Sequence, residues 1–417
     1  MSGSISLPQE QFLDAIRQDP ASDIPRRAYA AFLRSIGDPR AHLIDLQCPA
    51  DDIDPTERIF HAATVAERIK TLGKLERDRL NALFSLCIHR PVFERGFIVE
   101  ADIPIREFTK YTDDIAREIP LLERIHLGMG IKPEEIAQLK TCTFPPHIKG
   151  ISFGTYYKQF PTPIGSGDAC VQELLALPNL PSLEYLCIGG SDITNHGAYQ
   201  IATSPKTRLL KSLRLPRNFI DDEGVEHLCH GHLNNLKSLD LENNRLSPQS
   251  IVHLRSSPLA TQLESLNVSG NKIGDEGLAL LSERDIWLRL THLDISWSSF
   301  ASEAIIKFLE SPLVAELTEL NLAHHQLSLQ IVKKLSMLSL PNLKHLILGF
   351  TGLNAGTIKA LAASRNLRHC IIDVTGNSWP EDETLPPGFV QRKLGGTPAQ
   401  KYYDEVLIGH ENEIFFS

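Results

Sequence analysis

The chain has 417 residues, a formal net charge of −9, 42% hydrophobic and 22% charged residues, a balance that excludes a disordered chain and leaves room for two or three domains or one elongated array. The acidic surplus argues against a surface built to neutralise phosphates, so no nucleic-acid partner is expected. Cys48, Cys87, Cys142, Cys170, Cys187, Cys229 and Cys370 are scattered, odd in number and never in a Cys-x-x-Cys pair, which excludes a disulfide framework or zinc ribbon in favour of buried small hydrophobes or inert thiols.

From the start of the chain, Met1 to Glu10 has no basic segment ahead of an apolar core, and no later stretch reaches the ~18 apolar residues of a membrane span. A cytoplasmic protein with no membrane partner is expected. Residues 8–47 read as short helices punctuated by Asp19-Pro20, Ile24-Pro25 and Gly37-Asp38-Pro39. Phe12 and Ile16 share a face in the first, and Tyr29, Phe32, Leu33 and Ile36 share one in the second. The residues Phe12-Leu13-Asp14-Ala15-Ile16, Pro25 to Leu33, Gly37-Asp38-Pro39-Arg40 and Leu43-Ile44-Asp45-Leu46-Gln47 together resemble the bacterial, planctomycete-type repeat-companion domain. Ala31-Phe32 stands where that family usually carries Asp-Trp, and a weaker match continues through Phe93-Glu94-Arg95-Gly96-Phe97. The resemblance implies a helical cap domain over 1–47 that precedes a repeat array in a bacterial, intracellular setting. It implies no biochemistry. Residues 48–120 are expected to form a helical bridge and N-terminal cap, with an amphipathic run from Thr56 to Leu86.

The second half repeats itself. Leu-x-x-Leu-x-Leu recurs at Leu183-Leu186-Ile188, Leu210-Leu213-Leu215, Leu236-Leu239-Leu241, Leu263-Leu266-Val268, Leu290-Leu293-Ile295, Leu317-Leu320-Leu322 and Leu343-Leu346-Leu348, with a step of 26 or 27 residues. Weaker copies stand at Leu122-Ile125-Leu127 and Ile148-Ile151-Phe153, and a degraded last one at Leu367-Cys370-Ile372. Tyr156 to Ala169 reads as a loop inserted between copies. The alternation predicts a short strand with its apolar residues on one face. Asn218, Asn244 and Asn271 follow three positions later and can bond the backbone of the turn that leaves the strand. Ser191, Ser298, His325 and Thr351 replace that Asn elsewhere and predict looser turns. A helix then closes each unit, most plainly after Ser247-Pro248, where Ser is an N-cap and Pro the first helical residue.

This pattern resembles the ribonuclease-inhibitor-like class of leucine-rich repeats over residues 121–375. The resemblance implies an α/β leucine-rich-repeat solenoid, with a curved parallel sheet inside and helices on the convex face. The tail, 376–417, is expected to cap the array with Tyr402-Tyr403 and Ile414-Phe415-Phe416, or to serve as a docking peptide.

Function on such a concave face falls to two rows of side chains. The middle position of Leu-x-Leu gives His126, Ser152, Cys187, Arg214, Asp240, Asn267, Asp294, Asn321 and Ile347. The second residue after the strand gives Arg217, Asn243, Gly270, Trp297, His324 and Phe350. With strands ~4.8 Å apart, Trp297, His324 and Phe350 should form a ladder, either displayed as a binding hot spot or tucked into core. The partner-binding candidates are therefore Arg214, Arg217, Asp240, Asn243, Asn267, Asp294, Trp297, Asn321, His324 and Phe350. No phosphate loop, nucleophile elbow or His-Glu-x-x-His occurs, and neither cofactor nor metal is expected. The expected function is a non-catalytic, monomeric scaffold that holds a protein partner. Two alternatives follow. The repeat class resembles the Ran GTPase-activating protein, which would make Arg214 or Arg217 a trans-acting arginine. His292, His324, His325, His345 and His369 near Asp294 could instead hold a metal ion.

Overall fold

The computed structural model describes residues 7–48, 71–76, 78–80, 89–145, 147–154, 166–283, 286–380 and 383–391. These fall into two compact units, one drawn from Met1–Phe153 with Ala176–Tyr185 and the other from Gly154–Leu175 with Leu186–Ser417. Among the described residues no helix is long and apolar enough to cross a membrane.

The first unit opens with helices Leu7–Gln18, Ile24–Ser35 and Arg40–Gln47. Pro25 sits in the first turn of the second, where a missing N–H goes unnoticed. Leu13, Ile16, Tyr29, Ala30, Leu33, Ala41, Ile44 and Cys48 form one buried cluster, with Phe12, Phe32, Phe97 and Leu121 packed against it. Ile36, expected on the same face, is exposed instead. The helix stops one residue before it, and Gly37 at φ 74° turns the chain away.

The expected helical bridge is only partly helical. Residues 71–76 and 78–80 are helical, and Ile105–Glu118 is a helix. Between them lies an antiparallel hairpin of β1 (His89–Glu94) and β2 (Phe97–Asp102). Its two loop residues, Arg95 at φ 49° and Gly96 at φ 89°, supply the paired positive φ that a two-residue hairpin needs. Gln47 clamps this turn, its Oε1 accepting from Gly96 N at 2.5 Å and its Nε2 donating to Phe93 O at 3.1 Å. Aromatic and β-branched residues flank the Arg-Gly pair (Val92, Phe93, Phe97, Ile98, Val99), which favours a pleated surface over a helix. β3 (Arg124–His126) then pairs in parallel with β2 and with β4 (Gly150–Gly154).

In the second unit the expected loop 156–169 is corrected at its end: helix Ser166–Ala176 has already begun, while 155–165 lie outside the described residues. Asp168 in its first turn accepts from Thr194 N, Thr194 Oγ1 and Gly197 N, which ties this helix to the next copy. The strands are β5 (Tyr185–Gly189), β6 (Ser212–Arg214), β7 (Ser238–Asp240), β8 (Ser265–Asn267), β9 (His292–Asp294), β10 (Glu319–Asn321), β11 (His345–Ile347), β12 (Ile371–Asp373) and β13 (Phe389–Val390). From β6 to β12 each is parallel to the next, with Leu213, Leu239, Leu266, Leu293, Leu320, Leu346 and Ile372 side by side. All three leucine-type positions of every copy from Leu210 to Leu348 are buried. Helices such as Asp222–His230, Pro248–Arg255 and Ala355–Ala362 complete the copies. Ser247 caps its helix as its position before Pro248 suggests, accepting from Gln249 N.

The last copy is in a different register from the one read off the sequence. Ile372 lies opposite Leu346, not opposite Leu348. Cys370 N bonds Leu367 O as Leu343 N bonds Leu340 O. One residue is thus missing between the first two apolar positions, and the copy runs Cys370-x-Ile372-x-Val374, all buried. Asn377 consequently falls where the earlier copies carry their Asn. Among the described residues six cysteines are free, five of them buried, and burial pushes the Cys229 thiol up to about 11 and those of Cys48 and Cys370 to about 12. Cys87 and the aromatic tail, 392–417, lie outside the described residues.

The buried Asn column does more than close its own turn. Asn271 Nδ2 donates to Val268 O and Ser269 O of its own copy and to Leu241 O of the copy before, while its Oδ1 accepts from Asn244 N and Leu246 N of that same neighbour. Asn218, Asn244 and Asn377 repeat the arrangement in their places. At His325 the bridge persists, with Nε2 2.9 Å from Ile295 O of the preceding copy. Thr351 and Ser298 bond Leu348 O and Ser296 O within their own copies.

Removing one buried bridge strands several backbone groups in apolar surroundings, each worth roughly 1–3 kcal/mol. Asn271→Ala should therefore destabilise the second unit by about 3 kcal/mol, whereas Ser298→Ala should cost under about 1 kcal/mol. Urea midpoints of the two variants measure the difference.

Candidate functional site

One backbone conformation recurs immediately beyond the strands. Gly190, Arg217, Asn243, Gly270, Trp297, His324, Phe350 and Gly376 all have positive φ, between 51° and 72°. Each of the first seven donates its N–H to the next copy: Gly190 to Pro216 O, Arg217 to Glu242 O, Asn243 to Ser269 O, Gly270 to Ser296 O, Trp297 to Ala323 O, His324 to Gly349 O and Phe350 to Thr375 O. The ladder therefore continues past the regular strand through a left-handed step. Gly and Asn take such a step readily and His more often than most, while Trp, Phe and Arg rarely do.

The Asp and Asn residues at the middle strand position prepare that step. Asp240 Oδ1 accepts from Glu242 N, Asn267 from Ser269 N, Asp294 from Ser296 N, Asn321 from Ala323 N and Asp373 from Thr375 N, at 2.9–3.0 Å. This is an Asx turn repeated down the sheet. Their remaining capacity is largely used between copies: Arg214 Nε donates to Asp240 Oδ2 at 3.1 Å, and Asn321 Nδ2 to Asp294 Oδ2 at 2.8 Å. Arg217 pairs with the buried Glu242 at 3.4 Å, and Asn243 Nδ2 donates to the same carboxylate. Of the ten candidates, Asp240, Asn267, Asp294 and Asn321 thus belong to strand-ending turns, and both arginines are held in ion pairs. Asp373 completes the row but was hidden by the one-residue slip in the last copy.

Trp297, His324 and Phe350 are brought together as expected. Their rings stack in order, with centroids 3.6 and 4.6 Å apart and planes inclined by 21° and 14°. Trp297 is 62% exposed, which decides between display and core in favour of display. Phe350 rests against Gly376, where a Cβ would collide with its ring. Burial within the stack, with His325 alongside, pushes the His324 imidazole down to about 4, so it is a neutral ring at physiological pH. Desolvation also pushes the Asp294 carboxyl up to about 7, against the hydrogen bonds from Ser296 and Asn321.

The other histidines make separate partnerships. His292 Nδ1 lies 2.8 Å from Thr291 Oγ1, His345 Nδ1 3.6 Å from Glu319 Oε2, and His369 Nε2 2.9 Å from Leu340 O. Among the described residues no three His, Cys, Asp or Glu side chains gather as a metal site would need.

Two leucine-rich-repeat family models match the chain, at residues 235–256 and 260–282. The chain carries leucine-rich repeats over those residues. No curated protein matches it. Among solved structures, an internalin (inlF) of Listeria monocytogenes is similar at 17% identity over 68% of this chain and 70% of that one, with a TM-score of 0.37. The Rad7 and Elc1 complex of yeast is similar at 15% identity over 81% and 98%, with a TM-score of 0.38. A Bacteroides fragilis protein follows at 18% identity over 50% and 68%, with a TM-score of 0.32. In this repeat protein the exposed stack is the part of the candidate site that the hydrogen-bond ladders do not absorb.

A depressed imidazole pKa means that unfolding takes up a proton below the unfolded value of 6.5. The contribution of His324 to stability is present above pH 6.5 and is lost as pH falls through about 4. The raised Asp294 carboxyl acts oppositely, its contribution being lost as pH rises from 3.8 through about 7. His324→Phe isolates the first effect. Its unfolding temperature relative to wild type should climb steadily as pH is lowered from 6.5 towards 4, and an offset independent of pH would contradict a neutral His324.

Proposed function

We propose that this protein is a non-catalytic scaffold, and that it holds a protein partner against the sheet face turned away from the leucine core. The observation that carries the reading is Trp297: a large aromatic, mostly exposed, kept at positive φ where the preceding copy has Gly270, and stacked on His324 of the next. Backbone strain tolerated at a displayed aromatic is more often functional than accidental, and a rigid stacked indole loses little side-chain entropy on binding. The polar lining of Asp, Asn and Arg suits the rim of a protein interface. The repeats are read as ribonuclease-inhibitor-like because each copy of 26 or 27 residues follows its strand with a helix, two copies adding a second short one at Leu259–Gln262 and Pro312–Glu316. The three helices at 7–47 are read as a repeat-companion domain, and the protein as cytoplasmic and monomeric.

Proximity capture in the native host tests the reading. A partner held by wild type should be lost from a Trp297→Ala, Phe350→Ala double variant whose circular dichroism is unchanged. A partner retained at wild-type level would move the binding surface elsewhere on the chain.

A further inference from the structure

Beside the left-handed column runs a second row of turn residues. Phe219, Arg245 and Lys272 hold the same place in consecutive copies, their N–H groups donating in turn to Ile193 O, Ile220 O and Leu246 O of the copy before. Stacking of the copies lays Arg245 against Phe219, with the guanidinium carbon 4.2 Å from the ring centroid. Arg217 and Asn243 stand two positions earlier in the same two copies. These four side chains, with Asn218 and Asn244, line a hollow of about 320 Å³.

The polar groups of the hollow are unequally available to a guest. Asn218 Nδ2 donates to Ile188 O and Pro216 O, and Asn244 Nδ2 to Leu215 O and Leu241 O, while their Oδ1 atoms accept from Ile193 N and Ile220 N. Asn243 Nδ2 donates to Glu242, and Arg217 is paired with the same buried carboxylate at 3.4 Å. Arg245 is exposed, and among the described residues no carboxylate pairs with it. The Phe219 ring steadies its guanidinium at the rim, a contact that leaves N–H donors for an incoming acceptor. Two guanidinium groups against Glu242 give the hollow one net positive charge. Lys272, one copy past Arg245, and the buried Asp192, one copy before Phe219, offset each other around it.

A cationic guest would meet two guanidinium groups. A neutral apolar one would strip water from Arg245 without replacing its hydrogen bonds. A phosphate would bring a second negative charge that Glu242 repels and no further cation in the hollow balances. A carboxylate matches the single surplus charge and offers two oxygens to a guanidinium fork.

We infer that the hollow between Arg217 and Arg245 receives the carboxylate of a glutamate or aspartate side chain, carried on an acidic segment of the partner and held by the Arg245 guanidinium. This deepens the scaffold reading and rests on it, because Arg217 and Asn243 belong to the same column as Trp297. Three strand spacings, roughly 14 Å, separate Arg217 from the indole, a span that about five extended residues cover.

Capped hexa-glutamate and hexa-glutamine peptides, titrated calorimetrically into the full chain at low salt, test the site. Hexa-glutamate should bind about tenfold more tightly than hexa-glutamine, against the chain's own net charge of −9. Arg245→Gln should weaken hexa-glutamate about tenfold, as expected for loss of a hydrogen bond between charged groups, with Arg245→Lys intermediate. Lys272→Gln removes an equal charge from an exposed side chain one copy outside the hollow, and should weaken binding less than about twofold. Unfolding temperatures near wild type show that these exposed substitutions leave the fold intact. No binding of hexa-glutamate, equal affinities for the two peptides, equal losses from Arg245→Gln and Lys272→Gln, or displacement of hexa-glutamate by an equal concentration of inorganic phosphate would overturn the inference. Those results would leave the scaffold reading standing if partner capture still depended on Trp297, whereas capture indifferent to Trp297 would remove the scaffold reading at this face.

Discussion

The second unit depends on a single backbone bond, repeated: the amide of a left-handed residue just past each strand donates to the carbonyl that precedes the same residue in the next copy. A parallel strand of three residues offers few ladder bonds on its own. Extending the ladder through the turn adds another cross-copy bond per repeat and fixes the angle at which the chain leaves the sheet. Once that angle is set, the buried Asn that follows the left-handed residue meets the turn amides of its neighbour, and the leucine positions meet the helix behind them. No copy could satisfy these groups alone, so the stack is the smallest stable unit.

That constraint also explains what occupies the exposed face. A left-handed step directs successive side chains along one line at the ladder spacing, so whatever residue stands there stacks on its neighbours. Gly190, Gly270 and Gly376 relieve the strain, and Asn243 takes it cheaply. Trp297 and Phe350 do neither. Their stack recovers some energy, since offset aromatic pairs gain about 0.5–1.5 kcal/mol, but an exposed indole gains little burial. The surplus strain at Trp297 is therefore not offset by burial, and the proposed display to a partner would account for it.

The sequence made the repeats legible because burial imposes a leucine at fixed intervals, and buried positions tolerate few alternatives. The candidate ladder was legible for the same reason: register, once set, places Trp297 beside His324. What stayed hidden were features written in backbone angles or in a single deleted residue. Asp240, Asn267, Asp294 and Asn321 looked like a variable binding row, yet an Asp or Asn two residues before a buried amide is equally the signature of an Asx turn. The slip at Cys370-x-Ile372 concealed Asp373 and Asn377, although the Asn three positions beyond Val374 was a usable clue. The hairpin at 89–102 was missed because the Arg95-Gly96 turn was read within a helical segment, and its φ is set by packing against Ile44 and the Gln47 clamp.

Whether strain at Trp297 is retained for display can be read from one thermal unfolding curve. Trp297→Gly relieves a left-handed conformation costing about 1–2 kcal/mol while giving up one exposed stacking contact and some chain entropy. If the indole is displayed rather than structural, the midpoint should stay within about 2 °C of wild type or rise. A fall of about 6 °C or more would mean that the ring holds the array together, and display to a partner would no longer be needed to explain it.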